Sequence, residues 1–221
     1  MTMRRNCTGI ILAGGRSSRM GQPKMSLKLG DRSVLVHTTQ ALLASCREVL
    51  VIAAPAGTPD GVEEALAELP RTPSLRVLHD AQAHRGPLPG IVTGLAEAGN
   101  AIAFVAAGDS PFLAPVLIGG LIDALGAEPQ TDAMVPRVDS CAQPLTAAYR
   151  TAPMLSCFRQ ALDDGESSPR RSLRRAAFQE IAAEDLRRWD PALNSFLNIN
   201  DAADFARAQA LELQLKAGDV G

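Results

Sequence analysis

Long apolar runs are missing from this 221-residue chain, and none approaches the roughly 20 residues that a membrane-crossing helix requires. A basic surplus is missing too. The net charge of -2 argues against nucleic acid as a partner, because binding a phosphate backbone needs a field of positive charge. Any basic site must therefore be local. Cysteine is sparse and scattered: Cys7, Cys46, Cys141 and Cys157 form no CxxC pair, and the three histidines have no ligand spacing. Neither a structural zinc nor a disulfide framework is expected, and buried free thiols are the reading for the cysteines. Aromatic residues are only 4% against 46% apolar, so the core should be aliphatic. Arg4 and Arg5 ahead of Ile10 imitate an export signal, but the apolar stretch is too short for one and glycines follow at once. A cytoplasmic protein without membrane attachment is expected.

What the chain has in abundance is alternation. Short β-branched runs at Gly9 to Ala13, Glu48 to Ala53, Leu75 to His79 and Ala101 to Ala107 read as strands. Between and after them, Ser33 to Ser45, Val62 to Leu69, Pro89 to Ala98 and Pro115 to Leu125 read as helices. This βαβα rhythm predicts a parallel sheet with helices on both faces, its strands continuous apolar runs because both faces are covered. After Asp132 the rhythm changes. Ala133 to Val138 and Gln143 to Tyr149 read as strands around a turn at Asp139 to Ala142, followed by a helix from Pro153 to Leu162. An arginine-rich helix is expected from Pro169 into the 180s, a brief strand at Phe196 to Ile199, and a last helix from Ala202 to about Lys216 with Asp201 as its N-cap. No repeat, linker or low-complexity block divides the chain. The expected fold is one α/β domain over 1–221, a Rossmann-like three-layer αβα arrangement with a mostly parallel sheet and a small antiparallel insertion.

Ligands of open α/β sheets bind beyond the carboxyl ends of the strands, which singles out three loops. The first is "LAGGRSSRMGQPK", residues 12–24. Gly14 and Gly15 permit backbone turns and close approach that a Cβ would block. Successive amides in such a turn can form an anion-binding nest, and Arg16, Arg19 and Lys24 add positive charge. The spelling is neither GxxxxGK[ST] nor GxGxxG. An ordinary glycine turn flanked by solvated basic residues is the competing reading.

In the third-strand loop Asp80 is either a ligand contact or a turn residue, and Gly86-Pro87-Leu88-Pro89-Gly90 is either a close-approach wall or a plain helix start. In the fourth, Asp109 of "AAGDSPF" is either a magnesium ligand, since Mg²⁺ favours one or two carboxylates shared with phosphates, or the cap of a proline-started helix.

These residues resemble the molybdenum cofactor guanylyltransferases, MobA-like enzymes within the wider nucleotidyltransferase group. Beside the first loop, "RGPLPGI" (85–91), "AGDSPFL" (107–113), "QPLTAAYR" (143–150) and "FLNIND" (196–201) match in order along nearly the whole chain. The resemblance implies a cytoplasmic enzyme moving GMP from GTP to the terminal phosphate of molybdopterin with Mg²⁺. It implies nucleotide contacts at Leu12, Ala13, Gly14, Gly15, Lys24, Asp80, Gly86, Pro87 and Asp109, with Asp109 the metal ligand and Arg19, Lys24 and Asp109 the catalytic group. It also implies a nucleotide-binding half over about 1–130 and an acceptor half over about 131–221. In the acceptor half Asn198, Asn200 and Arg171 are candidates for the molybdopterin phosphate, with capping turns and a solvated basic face as their plain alternatives. Other cofactor-biosynthesis proteins are compatible partners. Two departures stand out: Pro23 occupies a position where an aspartate often precedes the lysine, and "VIAAPAG" lacks the asparagine often found after the second strand. A related enzyme using CTP, or a nucleotide-binding module without turnover, are the rival readings.

Overall fold

A computed structural model describes residues 4–14, 23–80 and 86–218. In chain order its first part holds β1 (Arg5–Leu12), the hairpin β2 (Lys28–Leu29) and β3 (Arg32–Ser33), α1 (Val34–Ser45), β4 (Cys46–Ala53) and α2 (Val62–Leu66). It continues with β5 (Leu75–His79), α3 (Leu88–Glu97), β6 (Ile102–Ala107) and α4 (Pro115–Ala127). The second part holds β7 (Ala133–Val138), β8 (Cys141–Ala142), β9 (Thr146–Arg150) and α5 (Thr151–Asp163). The short α6 (Pro169–Ser172), β10 (Phe178–Ala182), α7 (Ala183–Leu186) and α8 (Ala202–Gly218) complete it.

The main sheet runs β10-β7-β9-β6-β1-β4-β5, with β8 attached to β7, and β2–β3 form a small antiparallel ribbon of their own. Strands β5, β4, β1 and β6 are mutually parallel, whereas β9 lies antiparallel to both β6 and β7. From β1 the chain winds outward through β4 and β5, then returns to place β6 on β1's other side. That reversal of winding opens a crevice at the carboxyl ends of β1 and β6.

Side chains on the parallel strands alternate between two cores, as the period of two requires. Ile10, Leu50, Ile52, Ala103 and Val105 face Leu88, Ile91 and Leu95 of α3 and Met154 and Phe158 of α5. Ile11, Val49, Val51, Phe104 and Ala106 face Leu35 and Leu42 of α1 and Leu117, Ile118 and Leu121 of α4. Burial on both faces explains why these strands read as unbroken apolar runs. Proline opens α3 and α4 at the first turn, where its missing N–H costs no helical bond. Asp201 caps α8, its carboxylate accepting the Asp204 amide at 2.9 Å.

Two expected elements are corrected. The arginine-rich segment is a helix only over Pro169–Ser172; a 3-10 turn, Leu173–Arg175, follows, and the chain then enters β10, parallel to β7. The open edge of β7 supplies a backbone ladder and a buried seat for Ile181, and that pairing overrides a local helical preference. Arg171, Arg174 and Arg175 therefore do not share one helical face. The segment Phe196 to Ile199 is no strand. It lies against the 109–114 turn, donating from Ile199 N–H to the Asp109 carbonyl at 3.0 Å. The strand expected from Gln143 begins at Thr146, because Pro144 has no amide to donate and Thr146 N–H closes a turn onto the Gln143 carbonyl at 3.0 Å. The turn before it is a two-residue hairpin whose Asp139 and Ser140 have φ of 49° and 61°.

Candidate active site

The site starts where β1 stops. Ala13 and Gly14 both donate their amides to the Ile52 carbonyl of β4, at 2.9 and 3.0 Å. These two N–H groups are thus engaged by the sheet, and the loop continues through residues 15–22. That stretch, with Gly15, Arg16 and Arg19, lies outside the described residues. A Cβ on Gly14 would sit 3.0 Å from the Ala54 nitrogen and 3.2 Å from the Ala53 carbonyl carbon. Glycine therefore avoids crowding the backbone of the neighbouring strand, a reason the sequence alone had not supplied.

Beside it, β6 ends in the turn Gly108-Asp109-Ser110. The Gly108 amide donates to the Leu12 carbonyl at 2.9 Å, and a Cβ there would stand 3.1 Å from that same oxygen. Close packing of the two strand ends puts Asp109 next to the first loop. Lys24 opens a 3-10 turn, Lys24–Ser26, and its ammonium forms an ion pair with Asp109 Oδ2. The two side chains are 19% and 12% exposed, so water screens this pair less than it would on an open surface.

Asp80 follows β5, is buried, and donates its amide to the Ala53 carbonyl at 2.9 Å. Together with Leu12, Gly14, Ile52, Gly86 and Pro87 it lines a cleft of about 340 Å³ that Gly90 and Leu145 complete. A Cβ on Gly90 would lie 3.2 Å from Leu12 Cδ2 and 3.6 Å from Asp80 Oδ2, so the absence of a side chain keeps this wall open. Gly86 has φ of 89°, and a Cβ there would stand 3.2 Å from the Ser167 carbonyl oxygen. Gly90 belongs to the expected close-approach wall, whereas Leu145 was visible only as a letter inside a quoted motif.

The acceptor-side candidates fall in different surroundings. Asn198 lies beside the metal-turn candidate, its Oδ1 accepting Ser110 Oγ–H at 2.7 Å. Asn200 is exposed and donates its backbone amide to Asp204 at 2.8 Å, which is capping chemistry. Arg171 is exposed and reaches Glu166 with both Nε and Nη2, at 2.6 and 2.9 Å. This guanidinium, helped by the Ser168 amide, holds the Glu166 carboxyl down to about 2.

Among the described residues no group of three His, Cys, Asp or Glu side chains is placed to hold a metal ion. A single buried carboxylate at a strand end, beside a phosphate-loop candidate, suits Mg²⁺ shared with polyphosphate oxygens. It does not suit zinc, whose sites gather three or four protein ligands. A second depression, of about 380 Å³, lies at the end of β4 and is lined by Pro23, Pro55, Thr58, Asp60, Glu63, Glu64 and His79 among others. Its carboxylates would repel a polyphosphate, and Asp60 is occupied with the Ala54 and Val62 amides. The cleft beside Asp80 is the better seat for a nucleotide.

Comparison with known proteins agrees with this geometry. Residues 9–181 match the family model of the MobA-like NTP transferase domain. A molybdenum cofactor guanylyltransferase of Desulfosudis oleivorans is 30% identical over 96% of this chain and 98% of its own. The crystal structure of molybdopterin-guanine dinucleotide biosynthesis protein A from Archaeoglobus fulgidus superposes with a TM-score of 0.75 at 23% identity, covering 92% of this chain and 97% of that one. A 2-C-methyl-D-erythritol 4-phosphate cytidylyltransferase from Thermus thermophilus superposes at 0.68 with 19% identity over 94% and 99%, so the fold by itself does not choose the base. Family model, full-length relative and a cleft at the strand ends agree: the chain belongs to the MobA-like NTP transferase family and is a nucleotidyltransferase.

Proposed function

We propose that the protein transfers GMP from GTP to the terminal phosphate of molybdopterin, releasing pyrophosphate, with magnesium, in the cytoplasm. The observation that carries this reading is the Lys24–Asp109 pair, set beside β1's end next to the cleft that Leu12, Gly14, Asp80, Gly86 and Pro87 line. Relatives named as guanylyltransferases over nearly their whole length favour GTP over CTP. An acidic strand-end turn with Asn198 beside it, as a candidate acceptor contact, is more than a nucleotide-binding module needs.

The chemistry fits the residues. A phosphate monoester has a second pKa of about 6 and is largely dianionic at neutral pH. Its oxygen attacks the α-phosphorus of GTP, a new P–O bond forms, the bond to the α,β-bridging oxygen breaks, and the electron pair leaves with pyrophosphate. No general base is required. The work is offsetting negative charge and aligning the reactants. Lys24 serves the first task, joined by Arg19 from the loop outside the described residues. Asp109 would hold the magnesium ion, which when bound would neutralise part of the triphosphate charge. Leu12, Gly14 and Gly15, with Asp80, Gly86 and Pro87, form the proposed nucleotide wall, while Asn198, Asn200 and Arg171 are proposed to meet the acceptor.

Pyrophosphate release measured with molybdopterin and either GTP or CTP tests the reading. Turnover with GTP and little with CTP is expected. A strong preference for CTP would reject the choice of base, and no turnover with either would reject the enzyme's assignment to molybdopterin.

A further inference from the structure

Three hydroxyl-bearing side chains on α1 are buried: Thr38, Thr39 and Ser45. Two behave as helical hydroxyls usually do, bonding back one turn within their own helix. Thr39 donates to Leu35 O at 2.8 Å and Ser45 to Ala41 O at 3.0 Å. Thr38 does not. Its hydroxyl leaves the helix and reaches the Asp109 turn, with Gly108 O at 3.3 Å and Ser110 O at 3.0 Å. One proton is thus shared between the carbonyls on either side of Asp109.

The intervening carbonyl is held by a different segment, where Ile199 N–H donates to Asp109 O at 3.0 Å. Three consecutive carbonyls are therefore anchored by donors outside the turn, two of them by one threonine. A short turn pinned at each peptide has little freedom to rotate, and its central side chain is delivered to one place. We propose that Thr38 is a positioning residue for Asp109: it fixes the 108–110 turn so that the carboxylate stands ready for the divalent cation that accompanies the nucleotide. This inference rests on the proposed function. It assigns the role to a residue that touches neither nucleotide nor metal.

A merely structural Thr38, tying α1 to the sheet, would make a different prediction, and the metal-linked gain in GTP affinity separates the two. That gain is the ratio of the GTP Kd in EDTA to the Kd with Mg²⁺, measured by calorimetry on the full chain. Thr38→Val preserves shape and removes the hydroxyl. It should lower the gain about fivefold, the equivalent of one hydrogen bond, while leaving the Kd in EDTA unchanged. Thr39→Val, equally buried on the same helix, should leave both constants at wild-type values, and Thr38→Ser should restore the gain. If Thr38→Val does not fold, Thr38→Cys, with similar shape and a weaker donor, should fall between Ser and Val in expectation, below the wild-type gain. A wild-type gain in Thr38→Val, or in Thr38→Cys where Val fails, overturns the role of Thr38 alone. So does equal loss in Thr38→Val and Thr39→Val. A wild-type protein whose GTP affinity ignores Mg²⁺ ends the reading of Asp109 as a metal ligand, and this inference with it.

Discussion

The two halves of the molecule hold their candidate residues by different means. In the first, Leu12, Gly14, Asp80 and Asp109 sit at or just past the ends of parallel strands, held mainly by main-chain bonds: Ala13 and Gly14 to Ile52, Asp80 to Ala53, Gly108 to Leu12, with the Thr38 hydroxyl added at the Asp109 turn. In the second, Asn198 depends on a side-chain bond to Ser110, and Arg171 on a surface pair with Glu166. Main-chain anchoring survives most substitutions, whereas side-chain anchoring can be tuned one residue at a time. A nucleotide site common to many acceptors suits the first arrangement, and an acceptor site suits the second.

Breaking the first half should have the largest effects. Asp109→Asn keeps the shape and removes the charge. Pyrophosphate release should fall about 10²- to 10³-fold, in the range for losing one preorganised electrostatic group, with the circular dichroism spectrum unchanged. Retained activity would detach this residue from catalysis. Lys24→Ala should cost about 10²-fold by the same assay, with a weaker GTP affinity as well. Gly94→Ala tests the sheet rather than the chemistry. Its β carbon would meet Ile10 Cγ2 at 2.5 Å, so overpacking of α3 against β1 should cost about 1–3 kcal/mol in denaturant unfolding.

Substitutions that loosen the second half should be milder. Ser110→Ala and Asn198→Ala share one hydrogen bond, so their double-mutant cycle on acceptor KM should show a coupling of about 1 kcal/mol. Strict additivity would mean that Asn198 acts without Ser110. The smallest effect belongs to the surface pair of Glu166 and Arg171. Glu166 is held at about 2 by Arg171, below its ordinary 4.5. A depressed carboxyl contributes stability that is whole above pH 4.5 and is lost as pH falls toward 2. The wild-type Tm should therefore drop more steeply than that of Glu166→Gln across this window. The difference should be about 2 °C or less, because the pair is at the surface.

The same contrast explains what could be read from the sequence. The strand Leu75–His79 and the start of α4 at Pro115 coincide with expectation, and β6 differs by one residue at its start. Their signals are local: apolar runs, turn residues and proline at a helix start. The motif letters also brought Leu12, Gly14, Asp80, Gly86 and Pro87 to one cleft. What failed depended on partners distant in sequence. Residues 178–182 form a strand because β7 offers an edge some 45 residues earlier, and no local pattern announces that. Thr38 resembles Thr39 in the sequence, and only the fold shows that one faces its own helix and the other a turn 70 residues on.

The central claim is that a triphosphate lies between the first loop and the Asp109–Lys24 pair, with its base in the cleft beside Asp80. A crystal structure with GTP and Mg²⁺ tests it most directly. The account predicts a divalent ion bound by Asp109 and guanine near Leu12, Gly86 and Pro87. Nucleotide in the acidic depression of Asp60 and Glu63, away from Asp109, would contradict it.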